Sequence, residues 1–139
     1  MTALLTPEET LDWGRSLGMT LKAGSVIALC GNLGAGKTQA SKGIVEGLGC
    51  GQGVSSPTFS LVHEYVGGRL PVFHFDFYRM ESEAEVLGMG WDDYLDEAGV
   101  VIVEWADRFP QLMPENTRWF FLEHAGEVGR TVREGSGVE

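Results

Sequence analysis

The chain has 139 residues, a formal net charge of −10 at pH 7 and a pI near 4.7, enough for one domain with a real core and too little for a separate lid or effector module. Its acidity repels nucleic acid overall, which excludes a chain that gathers RNA by counterion release and leaves any RNA to be held by another protein. No apolar run approaches the roughly 20 residues of a membrane span, and the N-terminus lacks a signal peptide's basic-then-apolar order, so a cytoplasmic protein is expected.

Thr6-Pro7-Glu8-Glu9 predicts a helix start: Thr6 caps, Pro7 takes the first helical position and Glu9 closes a capping box. Leu11, Gly14 and Leu17 form one apolar or close-packing side, and Gly18 is read as the stop. Ser25 to Cys30 reads as a buried strand. It runs into Gly31-Asn32-Leu33-Gly34-Ala35-Gly36-Lys37-Thr38, which fits G-x-x-x-x-G-K-[ST] without mismatch, and Lys37 to Leu48 then reads as a helix. Strand, glycine loop and helix in that order predict a cradle of main-chain N–H groups for phosphate oxygens. Lys37 would reach the outer phosphates and the Thr38 hydroxyl would ligate Mg²⁺. The implied ligand is a nucleoside triphosphate.

Gly49 to Ser56 reads as a flexible connector, followed by strands over Phe59 to Val66 and Leu70 to Phe77 joined by a Gly67-Gly68-Arg69 turn, a hairpin pattern. Short helices are predicted over Glu81 to Leu87 and Trp91 to Leu95. Val100-Val101-Ile102-Val103 is a β-branched run that suits a central strand covered on both faces. Pro110 to Pro114 reads as a loop, Arg118 to Glu123 as a strand at or near a sheet edge, and a last short strand is expected around Thr131 to Arg133, with a frayed end. Cys30 and Cys50 have no metal or redox spacing, so reduced thiols are expected.

Hydrolysis or transfer at such a loop needs an acid for the metal and a group to orient the attacker. Glu104, at the end of the Val100 run, is the Walker B candidate; a charge also stands there when a chain simply surfaces. Asp76 interrupts an aromatic run, and period-two alternation sets His74, Asp76 and Tyr78 opposite Phe73, Phe75 and Phe77, so Asp76 faces solvent or a polar site. Thr58 is either a switch residue closing over the γ-phosphate or part of an ordinary turn. His63, His74 and His124 show no metal spacing and read as partly buried hydrogen-bonders, and Trp105 as packing or as a group beside the site.

Gly31 to Thr38, Ser56-Pro57-Thr58-Phe59, His74-Phe75-Asp76-Phe77-Tyr78-Arg79 and Val103-Glu104-Trp105, in this order and spacing, resemble the TsaE (YjeE) family from about Thr6 to Arg130. The resemblance implies a small bacterial ATPase required for threonylcarbamoyl modification of the adenosine beside the anticodon in tRNAs reading ANN codons. Its partners would be TsaB and TsaD, with TsaD carrying the transfer chemistry. ATP would be held by Leu33, Gly34, Ala35, Gly36, Lys37 and Thr38, and Mg²⁺ by Thr38 and Glu104. Asp76 would support hydrolysis, and the adenine pocket would lie between Thr6 and Arg130. Ala106-Asp107 departs from the family, whose members often have proline after the tryptophan.

A translation-type GTPase would need N-K-x-D, which neither Asn32 nor Asn116 begins. A small-molecule kinase would bring a lid with several arginines, for which no insertion exists. A binding module that ATP merely orders, with negligible turnover, overlaps with the favoured reading. The expected fold is α/β, a three-layer P-loop NTPase-like single domain over 1–139. Its central, mostly parallel sheet contains the Val26 and Val101 strands and is extended by the antiparallel 59–77 hairpin.

Overall fold

A computed structural model describes residues 2–32, 36–50, 53–55, 62–125 and 129–135. The strands are β1 (Thr2–Leu5), β2 (Val26–Cys30), β3 (Gly53–Ser55), β4 (Val62–Tyr65), β5 (Val72–Asp76), β6 (Val100–Glu104), β7 (Arg118–Ala125) and β8 (Gly129–Gly135). The α-helices are α1 (Pro7–Thr20), α2 (Lys37–Gly47), α3 (Glu83–Gly88) and α4 (Trp91–Leu95), with short 3₁₀ turns at Phe77–Arg79, Ala106–Arg108 and Pro110–Leu112. Among the described residues no helix is long and apolar enough to cross a membrane.

All strands join one sheet in the order β1-β8-β7-β2-β6-β5-β4-β3. The four inner strands β7, β2, β6 and β5 run parallel, and antiparallel strands extend the sheet on both sides. Every residue of β2 and β6 is buried, as continuous apolar runs require when both faces are covered. One layer of core sets α1 and α2 against Ile27, Leu29, Ile102, Phe120 and Leu122. The opposite face packs Val26, Ala28, Phe73, Phe75, Val101 and Val103 under α3, α4 and the 3₁₀ turns, with Trp91 edge-on to Phe75 at 5.0 Å. Three layers with a parallel centre are the expected architecture.

Several local expectations change. The Arg118 strand, expected at or near an edge, is interior, hydrogen-bonded to β2 and β8: Trp119 and Phe120 bury opposite faces, and β8 and β1 lie outside it. The Gly49–Ser56 connector contains β3, a three-residue edge strand with no apolar period, created by pairing with β4. β1 was not foreseen, since four residues beginning the chain become a strand only through β8, far away in sequence. Gly18 does not stop α1, which continues to Thr20 with Leu21 as its extended cap. Its role is contact: a Cβ there would lie 2.4 Å from the Ile44 carbonyl oxygen of α2.

The β4–β5 turn ties the distal ends of both long helices together. Arg69 donates from Nη1 to the Leu21 carbonyl at 2.7 Å and from Nη2 to the Gly18 carbonyl at 2.9 Å, while its amide donates to the Leu48 carbonyl at 2.7 Å. These side-chain bonds add a charged donor at the C-terminal end of α1, where the Gly18 carbonyl otherwise accepts the long 3.4 Å bond from the Leu21 amide. Arg69→Ala is expected to destabilise the fold by about 2 kcal/mol, the range for partly buried bonds from a charged donor. A urea titration with an unmoved midpoint would contradict that.

Candidate functional site

β2 delivers the chain to Gly31 at the carboxyl rim of the sheet, and α2 leaves from Gly36, which sits at φ 102°, a left-handed conformation that favours glycine. Among the described residues no side chain caps α2, and its first turn carries no acidic residue, an arrangement that suits an anion at its leading N–H groups. Lys37 is 4 % exposed, and its ammonium donates to the carbonyls of Gly31 at 2.7 Å and Asn32 at 2.8 Å. Burial lowers its pKa, opposed by the negative charges of Glu104 and Asp107.

The parallel register of β5 and β6 pairs Asp76 with Glu104, so both predicted acids emerge together at the rim that carries Lys37. Gly36, Lys37, Thr38, Gln39, Asp76, Tyr78, Glu104 and Trp105 line one cavity of about 340 Å³. Glu104 is buried. Burial alone would raise its pKa, but hydrogen bonds from His74, Thr38 and Ser41 outweigh that and hold it below the usual carboxylate value. Asp76 goes the other way: burial, with the charge of Glu104, pushes it up against the opposing Tyr78 N–H bond at 3.1 Å. Two neighbouring carboxylates are thus pushed in opposite directions, Glu104 down and Asp76 up.

Trp105 has φ 61°, a left-handed backbone costing a non-glycine residue roughly 1–2 kcal/mol. The bend it makes after β6 sets the indole 4.2 Å from the Lys37 ammonium and 4.8 Å from the Tyr78 ring. Strain of this kind persists where the surroundings demand it, here a cation–π contact at the mouth of the cavity.

Thr6 caps α1 with both halves of its capping box formed. A smaller cavity of about 150 Å³ is lined by Pro7, Thr10, Gly36, Gln39 and Arg130. Arg130 therefore stands beside the start of α2, and Thr6 is one residue from that lining. Leu33, Gly34, Ala35 and Thr58 lie outside the described residues; Ser55 and Val62, flanking the Thr58 segment, are paired in β3 and β4. Sequence reasoning missed His74 and Ser41 as partners of Glu104. The alternation that put His74 and Asp76 on one face was the available signal for the first; Ser41, one turn after Lys37 in α2, had none beyond helical spacing.

The oxygen donors gathered here suit a hard cation held jointly with phosphate. Among the described residues no group of three or more His, Cys, Asp and Glu forms a metal cage. Mg²⁺ in phosphate sites takes one or two carboxylates and leaves the rest to phosphate and water.

A sequence model described as "Threonylcarbamoyl adenosine biosynthesis protein TsaE" matches residues 4–132. The chain is 41 % identical over 128 residues to a tRNA threonylcarbamoyladenosine biosynthesis protein TsaE of Bacillus subtilis (strain 168), covering 92 % of this chain and 80 % of that one. It is 39 % identical to the protein of that name from Treponema pallidum (strain Nichols), covering 90 % of this chain and 92 % of the relative. The crystal structure of the Bacillus YdiB protein superposes with a TM-score of 0.74 at 34 % identity, over 95 % of this chain and 84 % of that one. With matches of this length and identity, the chain belongs to the TsaE family.

Proposed function

We propose that this chain is a Mg²⁺-dependent ATP hydrolase of tRNA threonylcarbamoyladenosine synthesis, whose turnover drives or resets a partner complex containing TsaB and TsaD. The observation that carries the reading is the Asp76–Glu104 register, which brings two carboxylates to the cavity that Lys37 and Thr38 enter from α2. The pathway is the one for which its relatives are named.

In this reading Leu33, Gly34, Ala35, Gly36 and Lys37 bind the phosphates through main-chain N–H groups, and the Lys37 ammonium leaves its loop carbonyls for phosphate oxygens. Thr38 and Glu104 hold Mg²⁺, which when bound offsets the charge that builds on the phosphoryl oxygens. Asp76 orients the attacking water and accepts its hydrogen as the water oxygen bonds to the γ-phosphorus and ADP departs. Arg130 and Thr6 flank the adenine end. Because the chain is acidic, tRNA is held by the partners.

Among the described residues lining the cavity, Lys37 is the one cation. Phosphoryl transfer commonly gains 10³-fold or more from a second cation, in cis or from a partner, so slow turnover by the isolated chain is expected. Phosphate release should rise at least about 10-fold when TsaB and TsaD are added. Asp76→Asn should keep ATP affinity within about threefold while cutting that rate about 100-fold, the range for loss of a general base. A rate that ignores the partners would make this a stand-alone hydrolase. Binding without turnover under any condition would make it a nucleotide-ordered binding module.

A further inference from the structure

We infer that His74 is a positioning residue for Glu104: it holds one carboxylate oxygen on the α2 side so that the other, with the Thr38 hydroxyl, is presented to the cavity as a paired oxygen site for a divalent cation. The inference rests on the reading of Glu104 as the metal-holding acid. It concerns what fixes that acid in place.

His74 pairs with Ile102 and precedes Asp76 by two residues, so parallel pleating sets His74, Asp76, Ile102 and Glu104 on the same face of the sheet. The His74 Nε2–H donates to Glu104 Oε2 at 2.6 Å, with the two side chains 13 % and 7 % exposed. An ionised carboxylate only accepts, so Nε2 carries the hydrogen. Ser41 Oγ lies 3.1 Å from the same Oε2 but also 2.9 Å from the Lys37 carbonyl. The Ser41 hydrogen is divided between these two acceptors, which makes His74, at 2.6 Å, the shorter and undivided donor to Oε2.

Oε1 is in a different situation. Among the described residues its partner is the Thr38 hydroxyl at 3.1 Å, and both residues line the cavity shared with Lys37 and Asp76. Burial leaves little water to hold the carboxylate, so its orientation is decided by these protein donors. Without His74, Oε2 would keep only the shared Ser41 hydroxyl, and the Oε1–Thr38 pair would be less firmly held in direction. Outer partners of ligating groups commonly carry a 10- to 100-fold share of metal affinity for this reason.

The test is binding of a fluorescent, non-hydrolysable ATP analogue, read in EDTA and across a Mg²⁺ titration, for wild type, His74→Ala, His74→Gln and Glu104→Gln. Thermal melts are recorded alongside. His74→Ala is expected to raise the half-effective Mg²⁺ concentration about 10-fold or more while affinity in EDTA changes by less than about twofold. His74→Gln, whose amide can donate to Oε2, should restore most of the loss. A shifted Mg²⁺ dependence in Glu104→Gln with none in His74→Ala overturns the positioning role and leaves the metal role of Glu104 standing. No shift in Glu104→Gln overturns both. If His74→Ala melts too low to assay, the imidazole ¹⁵N spectrum of the wild-type protein decides: a hydrogen on Nε2 supports the inference, and an Nε2 without one overturns it.

Discussion

Lys37→Ala is expected to weaken ATP and ADP binding by about 100-fold or more, as measured by calorimetry. The ammonium is buried beside Glu104, Asp76 and Asp107, whose charges act on it, so it is the cation that makes an acidic cavity hospitable to phosphate. Opposite unit charges about 4 Å apart at an effective dielectric of about 20 attract by about 4 kcal/mol. Losing even two-thirds of that corresponds to about 100-fold in affinity. The neighbouring carboxylates, no longer balanced, would then repel the phosphates as well. The alanine variant retains the apolar packing of α2 through Ala40 and Ile44, and a melt recorded alongside separates lost binding from lost fold. Unchanged nucleotide affinity would remove Lys37, and with it the phosphate reading of the loop.

Gly43→Ala is expected to destabilise the fold by about 3 kcal/mol, the upper part of the range for overpacking, and to lower Tm by roughly 10 °C. An added Cβ would stand 2.2 Å from the Leu11 carbonyl oxygen of α1, and the same distance separates a Cβ at Gly47 from the Arg15 carbonyl. Across the contact, Gly14 and Gly18 are equally constrained, at 2.5 Å from the Ala40 carbonyl and 2.4 Å from that of Ile44. Both obstacles are helix backbone, so the helices must separate, loosening Leu17 and Ile44 against the sheet. The helix-propensity gain of alanine over glycine, about 1 kcal/mol, is smaller and opposite in sign. Gly88→Ala is the control, because nothing lies within 4 Å of its added Cβ and it should be neutral or slightly stabilising. A Gly43→Ala variant melting with the wild type would contradict the packing argument. The same contact matters to the site, since α2 carries Lys37 and Thr38 on its first turn and any shift of the helix moves them.

The amino-acid sequence by itself determined whatever is encoded by short-range pattern. The helix that begins at Lys37, the Thr6 capping box, the Trp91–Leu95 helix and the buried Val26 and Val100 runs are all legible because each depends on residues within one turn or one strand. Asp76 and Glu104 were recognisable as charges in apolar strands. That they stand in register was not, because pairing between strands separated by two helices leaves no local mark.

Tertiary structure alone decided the rest. It made strands of Thr2–Leu5 and Gly53–Ser55, which have no period of their own, and placed β7 inside the sheet by covering it with β8 and β1. It turned Gly18 from an apparent helix stop into a contact between helices, and it brought His74 and Ser41 onto one oxygen of Glu104. The physical reason is common to all of these: hydrogen-bond register and backbone approach are set between segments far apart in the chain, where hydrophobic burial selects one arrangement from many that the local pattern permits.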